Sequence, residues 1–120
     1  MIYIGTDIVK ISRIDRLIND KGQRFLKHIF TENEQFICNA KASPSIHYGG
    51  KFAAKEAVKK ALLSSSKMMN ISLNTIEIQN KTDGAPQVVL KNEMECSFNL
   101  GVSISHTNDY AIATAILEIQ

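Results

Sequence analysis

The apolar positions of this chain change period several times along its length, and each change marks an element. Met1 to Val9 is an apolar run with Tyr, Ile and Val, too short for a helix. It predicts a buried strand interrupted at Gly5-Thr6-Asp7, which puts Asp7 at or near a strand end. From Ile11 to Phe30, the residues Ile14, Leu17, Ile18, Phe25, Leu26 and Ile29 recur at helical spacing, and Lys21-Gly22 divides them into two helical pieces. Thr31-Glu32-Asn33-Glu34 carries the capping-box pattern, so a short helix starts there and runs toward Ala40. Ala42-Ser43-Pro44-Ser45 has loop chemistry. Gly50 to Leu63, rich in Ala, Lys and Leu, predicts a long helix. Beyond the polar run Ser64 to Lys67, Leu73 to Gln79 alternates with Ile76 and Ile78 on one face, and Asp83-Gly84-Ala85-Pro86 turns the chain into Gln87 to Leu90 as an antiparallel hairpin. Asn99 to His106 sets Val102, Ile104 and His106 on one side and Ser103 and Ser105 on the other, and Tyr110 to Ile119 is a final apolar strand. The sum is an α+β fold, a mainly antiparallel sheet packed against a long helix, in a single domain over 1–120 with no repeat or linker.

A chain of 120 residues can bury a core without staples. No basic segment followed by an apolar stretch opens it, and its apolar runs fall well short of the roughly 20 residues a membrane span needs. The expectation is a cytoplasmic protein with no membrane contact. Cys38 and Cys96 show no CxxC spacing and the three histidines no HxxxH, so neither zinc nor a disulfide framework is signalled. The net charge of +2 is small but uneven: Lys10, Arg13, Arg16, Lys21, Arg24 and Lys27 stand against Asp15 and Asp20 in one stretch.

On a helical wheel, Ala53, Ala57, Val58, Ala61 and Leu62 form one apolar arc of the long helix, and Lys55, Glu56, Lys59 and Lys60 fall on the other. Phe52 and Leu63 also fall on the charged arc, so another segment or another subunit covers part of it. A half-covered carboxylate beside lysines suits a cation and phosphates. The plainer alternatives are an i,i+4 ion pair between Glu56 and Lys60 and a helix-capping role for Asp7. Ser103-Ile104-Ser105-His106 offers hydroxyls and an imidazole suited to phosphate or ribose, or is simply a polar strand end. Asp83-Gly84-Ala85-Pro86 is first a turn and second a ligand loop.

In order along the chain, Ile4-Gly5-Thr6-Asp7-Ile8-Val9, Phe30-Thr31-Glu32-Asn33-Glu34, Lys51-Phe52-Ala53-Ala54-Lys55-Glu56-Ala57 with Lys60-Ala61-Leu62, Asp83-Gly84-Ala85-Pro86 and Val102-Ser103-Ile104-Ser105-His106 resemble the small bacterial holo-acyl-carrier-protein synthases over nearly the whole chain. The resemblance implies transfer of 4'-phosphopantetheine from coenzyme A to a serine of apo acyl carrier protein, with release of 3',5'-ADP, in fatty acid biosynthesis. It implies Mg²⁺ at Asp7 and Glu56, and Lys60 stabilising or protonating the leaving phosphate. It further implies coenzyme A contacts from Lys51, Lys60, Gly84, Pro86, Ser105 and His106, and carrier-protein docking on Arg13, Arg16 and Arg24. A homotrimer with sites between subunits is implied too, and no nucleic acid. Two positions depart from the family pattern: Lys51, where arginine is more frequent, and Ser64-Ser65-Ser66-Lys67, where glycines are. The competing classes are a non-enzymatic nucleotide- or RNA-binding module using the basic stretch, which lacks the aromatic pair of a stacking platform, and a coenzyme A thioester acyltransferase or hydrolase, which lacks a nucleophile elbow or Cys/His signature.

Overall fold

The computed structural model describes all residues from Met1 to Gln120. The elements are β1 (Ile2–Lys10), α1 (Ile11–Lys21), α2 (Gln23–Ile29), α3 (Glu32–Asn39), α4 (Pro44–Ser65), a 3₁₀ turn (Leu73–Thr75), β2 (Ile76–Asn80), β3 (Pro86–Leu90), β4 (Phe98–His106) and β5 (Tyr110–Ile119). The strands form two antiparallel sheets, one in the order β1-β5-β4 and the other the β2-β3 hairpin. One cluster of 23 buried apolar residues, drawn from helices and both sheets, forms the core.

The period of two decides what each strand buries. In β5, Ala111, Ala113, Ala115, Leu117 and Ile119 face inward, and Ile112 and Ile116 face outward. The inward alanines are small, as are Ala53, Ala57 and Ala61 of α4, so the helix lies close against the sheet. At Gly5 the approach is closest: a Cβ there would lie 1.9 Å from the Ala57 carbonyl oxygen. Gly5 therefore does not interrupt β1. The strand is continuous from Ile2 to Lys10 and paired with β5 throughout, which corrects the expected break and places Asp7 inside the strand, three residues before its end. Tyr3, Gly5, Asp7 and Val9 share the helix-facing side, and Ile2, Ile4 and Ile8 are exposed on the other, so the strand is half buried.

Two further expectations change. The long helix begins at Pro44, where Pro fits the first helical position because its missing N–H has no partner to lose there, so the presumed loop at Pro44-Ser45 is the first turn. Leu73–Thr75 is a 3₁₀ turn leading into β2. The charged arc of α4 is partly covered, as expected: Lys55 is fully buried, and Lys51, a turn earlier, is 6 % exposed. Phe52 is covered from within the chain by Phe25, whose ring stacks on it at 6.5 Å, and Leu63 remains exposed.

Burial lowers the Lys55 pKa below its ordinary value, and pairing with Glu34 opposes that shift. Glu34, also fully buried, accepts from the Lys55 ammonium and from the Ile78 N–H at 2.7 Å, while Lys55 also donates to the Ile76 carbonyl. Glu34 is simultaneously the third helical residue of the predicted capping box, accepting from Thr31 N–H while its own N–H donates to the Thr31 hydroxyl. One carboxylate thus joins the start of α3, the middle of α4 and the edge of β2. The two helical pieces before α3 separate at Gly22, in the left-handed region at φ 54°.

Candidate active site

The close packing at Gly5 brings the next inward residue of β1 beside α4. Lys60 donates to Asp7 Oδ1 at 3.1 Å and to the Thr6 carbonyl at 2.9 Å. Glu56 lies one turn back along the same helix, half-buried and without an ion-pair partner. Neither plainer reading holds. Lys60 pairs with Asp7 and not with Glu56, and the residue capping α1 is Lys10, which makes no side-chain cap bond. No group of three His, Cys, Asp or Glu side chains is gathered anywhere in the chain, so Asp7 and Glu56 offer two carboxylates and no softer donors. That set suits a hard divalent cation that completes its shell with water and substrate oxygens, and it does not suit zinc.

Nine residues before Lys60 on the same helix, Lys51 lines a second feature. A cleft of about 280 Å³ is walled by Lys51, His47, Lys41, Gly84, Pro86 and His106, with Gly50, Ile104 and Asn80 among the remainder. Four of these side chains are basic or titrate to cations, and no carboxylate lines the cleft. Lys51 is held by a 3.0 Å bond to the Ile78 carbonyl and has no acidic partner, which leaves a largely buried ammonium without a counter-ion. Burial, together with Lys41, His106 and Lys51, lowers the His47 imidazolium pKa below its ordinary value. The turn that carries Gly84 is fixed by its left-handed φ of 91°, by Gly84 N–H donating to the Lys81 carbonyl, and by Ala85 N–H donating to Asp83. An anion is the ligand this wall lacks.

The structure therefore brings Asp7 and Lys60 together, with Glu56 one helical turn before Lys60, and gathers Lys51, Gly84, Pro86 and His106. Ser105 is set apart, because it points to the outer face of β4 opposite Ile112 while His106 points into the cleft. Sequence reasoning missed Lys41 and His47. A helix begun at Pro44 would have shown His47 one turn before Lys51 on the same face. The departure at Ser64-Ser65-Ser66 is visible as well: Ser66 ends α4 in the left-handed conformation at φ 59°, where glycine would be unstrained. Arg13 and Arg16 on α1 and Arg24 on α2 are all exposed and free of ion pairs. A larger cavity, about 630 Å³, lies elsewhere, between α2, α3 and the hairpin. It mixes Lys27 and Lys91 with Glu32 and Glu77 and contains none of the predicted residues, so charge and not size locates the site.

Comparison with known proteins points to one family. A family model described as the 4'-phosphopantetheinyl transferase superfamily matches residues 3–115. The holo-[acyl-carrier-protein] synthase of Protochlamydia amoebophila is 43% identical over 116 residues, covering 94% of each chain. Among solved structures, an ACPS–CoA complex from Chronobacterium ammoniagenes superposes with a TM-score of 0.86 at 25% identity, covering 100% of this chain and 98% of that one. A holo-(acyl-carrier-protein) synthase of Bacillus anthracis in complex with CoA (3',5'-ADP) gives 0.82 at 30% identity, covering 98% and 96%.

Proposed function

This chain belongs to the 4'-phosphopantetheinyl transferase superfamily, among its holo-[acyl-carrier-protein] synthases, and on that premise we propose a Mg²⁺-dependent transfer from coenzyme A in which Asp7, Glu56 and Lys60 act together. The group moved is 4'-phosphopantetheine and the acceptor is a serine of apo acyl carrier protein, as fatty acid synthesis requires. The serine oxygen forms a bond to the phosphorus on the pantetheine side of the diphosphate, the bond from that phosphorus to the bridging oxygen breaks, and 3',5'-ADP leaves. Asp7 and Glu56 would hold Mg²⁺, which when bound supplies positive charge to the diphosphate oxygens. Lys60, already beside Asp7, supplies a second positive charge and a proton donor for the leaving phosphate.

The observation that carries this reading is the Asp7–Lys60 pair with Glu56 one turn back on α4, the helix that also carries Lys51 of a carboxylate-free cationic cleft, which together match a substrate with several phosphate groups. Lys51, His106, Gly84 and Pro86 line that cleft for the nucleotide. Ser105 lies on the outer sheet face, where Ile4 stands opposite Ile116 and Ile8 opposite Ile112, all four exposed. Burying that apolar patch against neighbouring copies favours a homotrimer and would return Ser105 to a site at a subunit boundary. Arg13, Arg16 and Arg24 present the positive face for the acidic carrier protein. The single continuous core supports one domain over 1–120, and a cytoplasmic location accords with the absence of any helix long and apolar enough to cross a membrane.

The test is intact-mass analysis of apo acyl carrier protein incubated with this protein, coenzyme A and Mg²⁺, beside a chelator control. A metal-dependent gain of one phosphopantetheine is expected, and it should be largely lost in Asp7→Ala and Glu56→Ala proteins that keep wild-type circular dichroism. A fully active Glu56→Ala protein sinks the site assignment.

A further inference from the structure

Asp7 has one side-chain partner in the folded chain, and that partner is Lys60. The ammonium bridges Asp7 Oδ1 and the Thr6 carbonyl, both oxygens, at 3.1 and 2.9 Å, as a small cation would. We infer that Lys60 is an exchangeable place-holder: it occupies Asp7 in the metal-free protein, leaves that carboxylate when a divalent cation binds there, and is released toward the substrate phosphate only by that exchange. The inference rests on reading Asp7 and Glu56 as the metal pair and adds to it an order of events.

Three features of the structure support the exchange. First, a divalent cation and an ammonium cannot share one carboxylate oxygen without close like-charge repulsion, so the two occupants compete. Second, the anchors of the pair differ in freedom. Asp7 sits in a strand pressed on α4 at Gly5, and its side chain is 19% exposed; the Lys60 side chain is 53% exposed, on a flexible four-carbon stem. The Lys60 backbone remains helical and accepts from the Ser64 hydroxyl, so the head group can move while its base stays fixed. Third, Glu56 is left without an ammonium although Lys60 lies one turn away. One carboxylate is thus held and the other open, so an incoming cation can meet Glu56 before Lys60 departs.

The experiment is a Mn²⁺ titration of the full-length protein without coenzyme A, followed by spin resonance of the free ion, on wild type, Lys60→Gln, Lys59→Gln and Asp7→Ala. Lys59 loses the same charge but borders a different cleft with His28 and Asn74, so it controls for long-range electrostatics. Lys60→Gln should bind Mn²⁺ roughly two- to five-fold more tightly, the equilibrium equivalent of removing one exposed ion-pair competitor. Lys59→Gln should change affinity by less than half as much, and Asp7→Ala should lose binding. In parallel, the Lys60 ε-methylene signal in a ¹³C-lysine spectrum, assigned by its absence from Lys60→Gln, should shift as Mg²⁺ is added. Unchanged or weaker binding by Lys60→Gln, equal tightening in both lysine variants, or a stationary Lys60 signal at saturating Mg²⁺ overturns the exchange while leaving the metal pair intact. Undiminished binding by Asp7→Ala removes the metal pair itself, and the exchange with it.

Discussion

Replacing Lys55 by Met tests how this fold tolerates charge in its core. The substitution keeps most of the side chain's length and removes the charge, its hydrogen bonds and the cation–π contact of the ammonium, 5.6 Å from the Phe30 ring centroid. Both members of the Glu34–Lys55 pair are fully buried. Truncating one partner of such a pair costs about 3–5 kcal/mol, because the other charge is left uncompensated. Here Glu34 keeps two donors, Ile78 N–H at 2.7 Å and Thr31 N–H at 2.9 Å, which argues for the lower part of that range. The Ile76 carbonyl loses its lysine donor, which adds a desolvation cost of about 1 kcal/mol. A loss of about 4 kcal/mol is a large share of the roughly 5–15 kcal/mol that stabilises a domain of this kind.

With a urea m-value of about 2 kcal/mol per molar, the midpoint of unfolding followed by circular dichroism should fall by about 2 M at unchanged m. Glu34→Gln preserves the capping box, since Gln serves at that position, and makes the matching single variant. The double variant Glu34→Gln/Lys55→Met should cost less than the sum of the singles by about 2 kcal/mol, because neither charge is then stranded. A Lys55→Met midpoint within about 0.5 M of wild type, or strict additivity in the cycle, refutes the account of the pair as mutually dependent.

Gly5→Ala should unfold the protein or lower its Tm by many degrees in a thermal scan, since the new methyl overlaps the Ala57 carbonyl oxygen of the long helix at 1.9 Å; near-wild-type stability would contradict the packing. Burial alone raises the Glu77 pKa, but hydrogen bonds from Thr31 and Gln79, with Lys91 and Lys55 nearby, more than offset it and hold the carboxyl below its ordinary 4.5. A depressed folded-state pKa contributes stability that is complete above the unfolded value and is lost as pH falls through the folded one. Stability measured by urea titration should therefore drop more steeply below about pH 4.5 in wild type than in Glu77→Gln, which lacks that titration. Charge reversal at Arg13 and Arg24 should raise KM for the carrier protein in steady-state assays, spare KM for coenzyme A, and lose its effect at high salt; equal effects on both substrates would count against docking on that face.

Most of the element order was legible from local chemistry, and what was not legible at the site has a long-range cause. The capping box at Thr31, the left-handed break at Gly22 and the Asp83-Gly84 turn are set by residues within four positions of one another, so the sequence alone specifies them. Gly5 was misread because its role lies in its neighbour, the Ala57 backbone, 52 residues away; nothing local distinguishes a glycine that breaks a strand from one that lets a helix touch it. Which lysines of α4 are buried was illegible for the same reason. Helical periodicity places Lys51, Lys55 and Lys59 in one row, but Lys55 is drawn inside by Glu34, 21 residues earlier, and Lys51 reaches the Ile78 carbonyl, 27 residues later. These two lysines tie α4 to β2, the strand that leads into the turn of Gly84 and Pro86. The cationic cleft and the stability of the hairpin therefore depend on the same row of ammonium groups, which fixes one wall of that cleft against the helix bearing Glu56 and Lys60. A variant that disturbs Lys55 should accordingly weaken coenzyme A binding through the hairpin before it affects Asp7, which is held from the other side of α4 by β1.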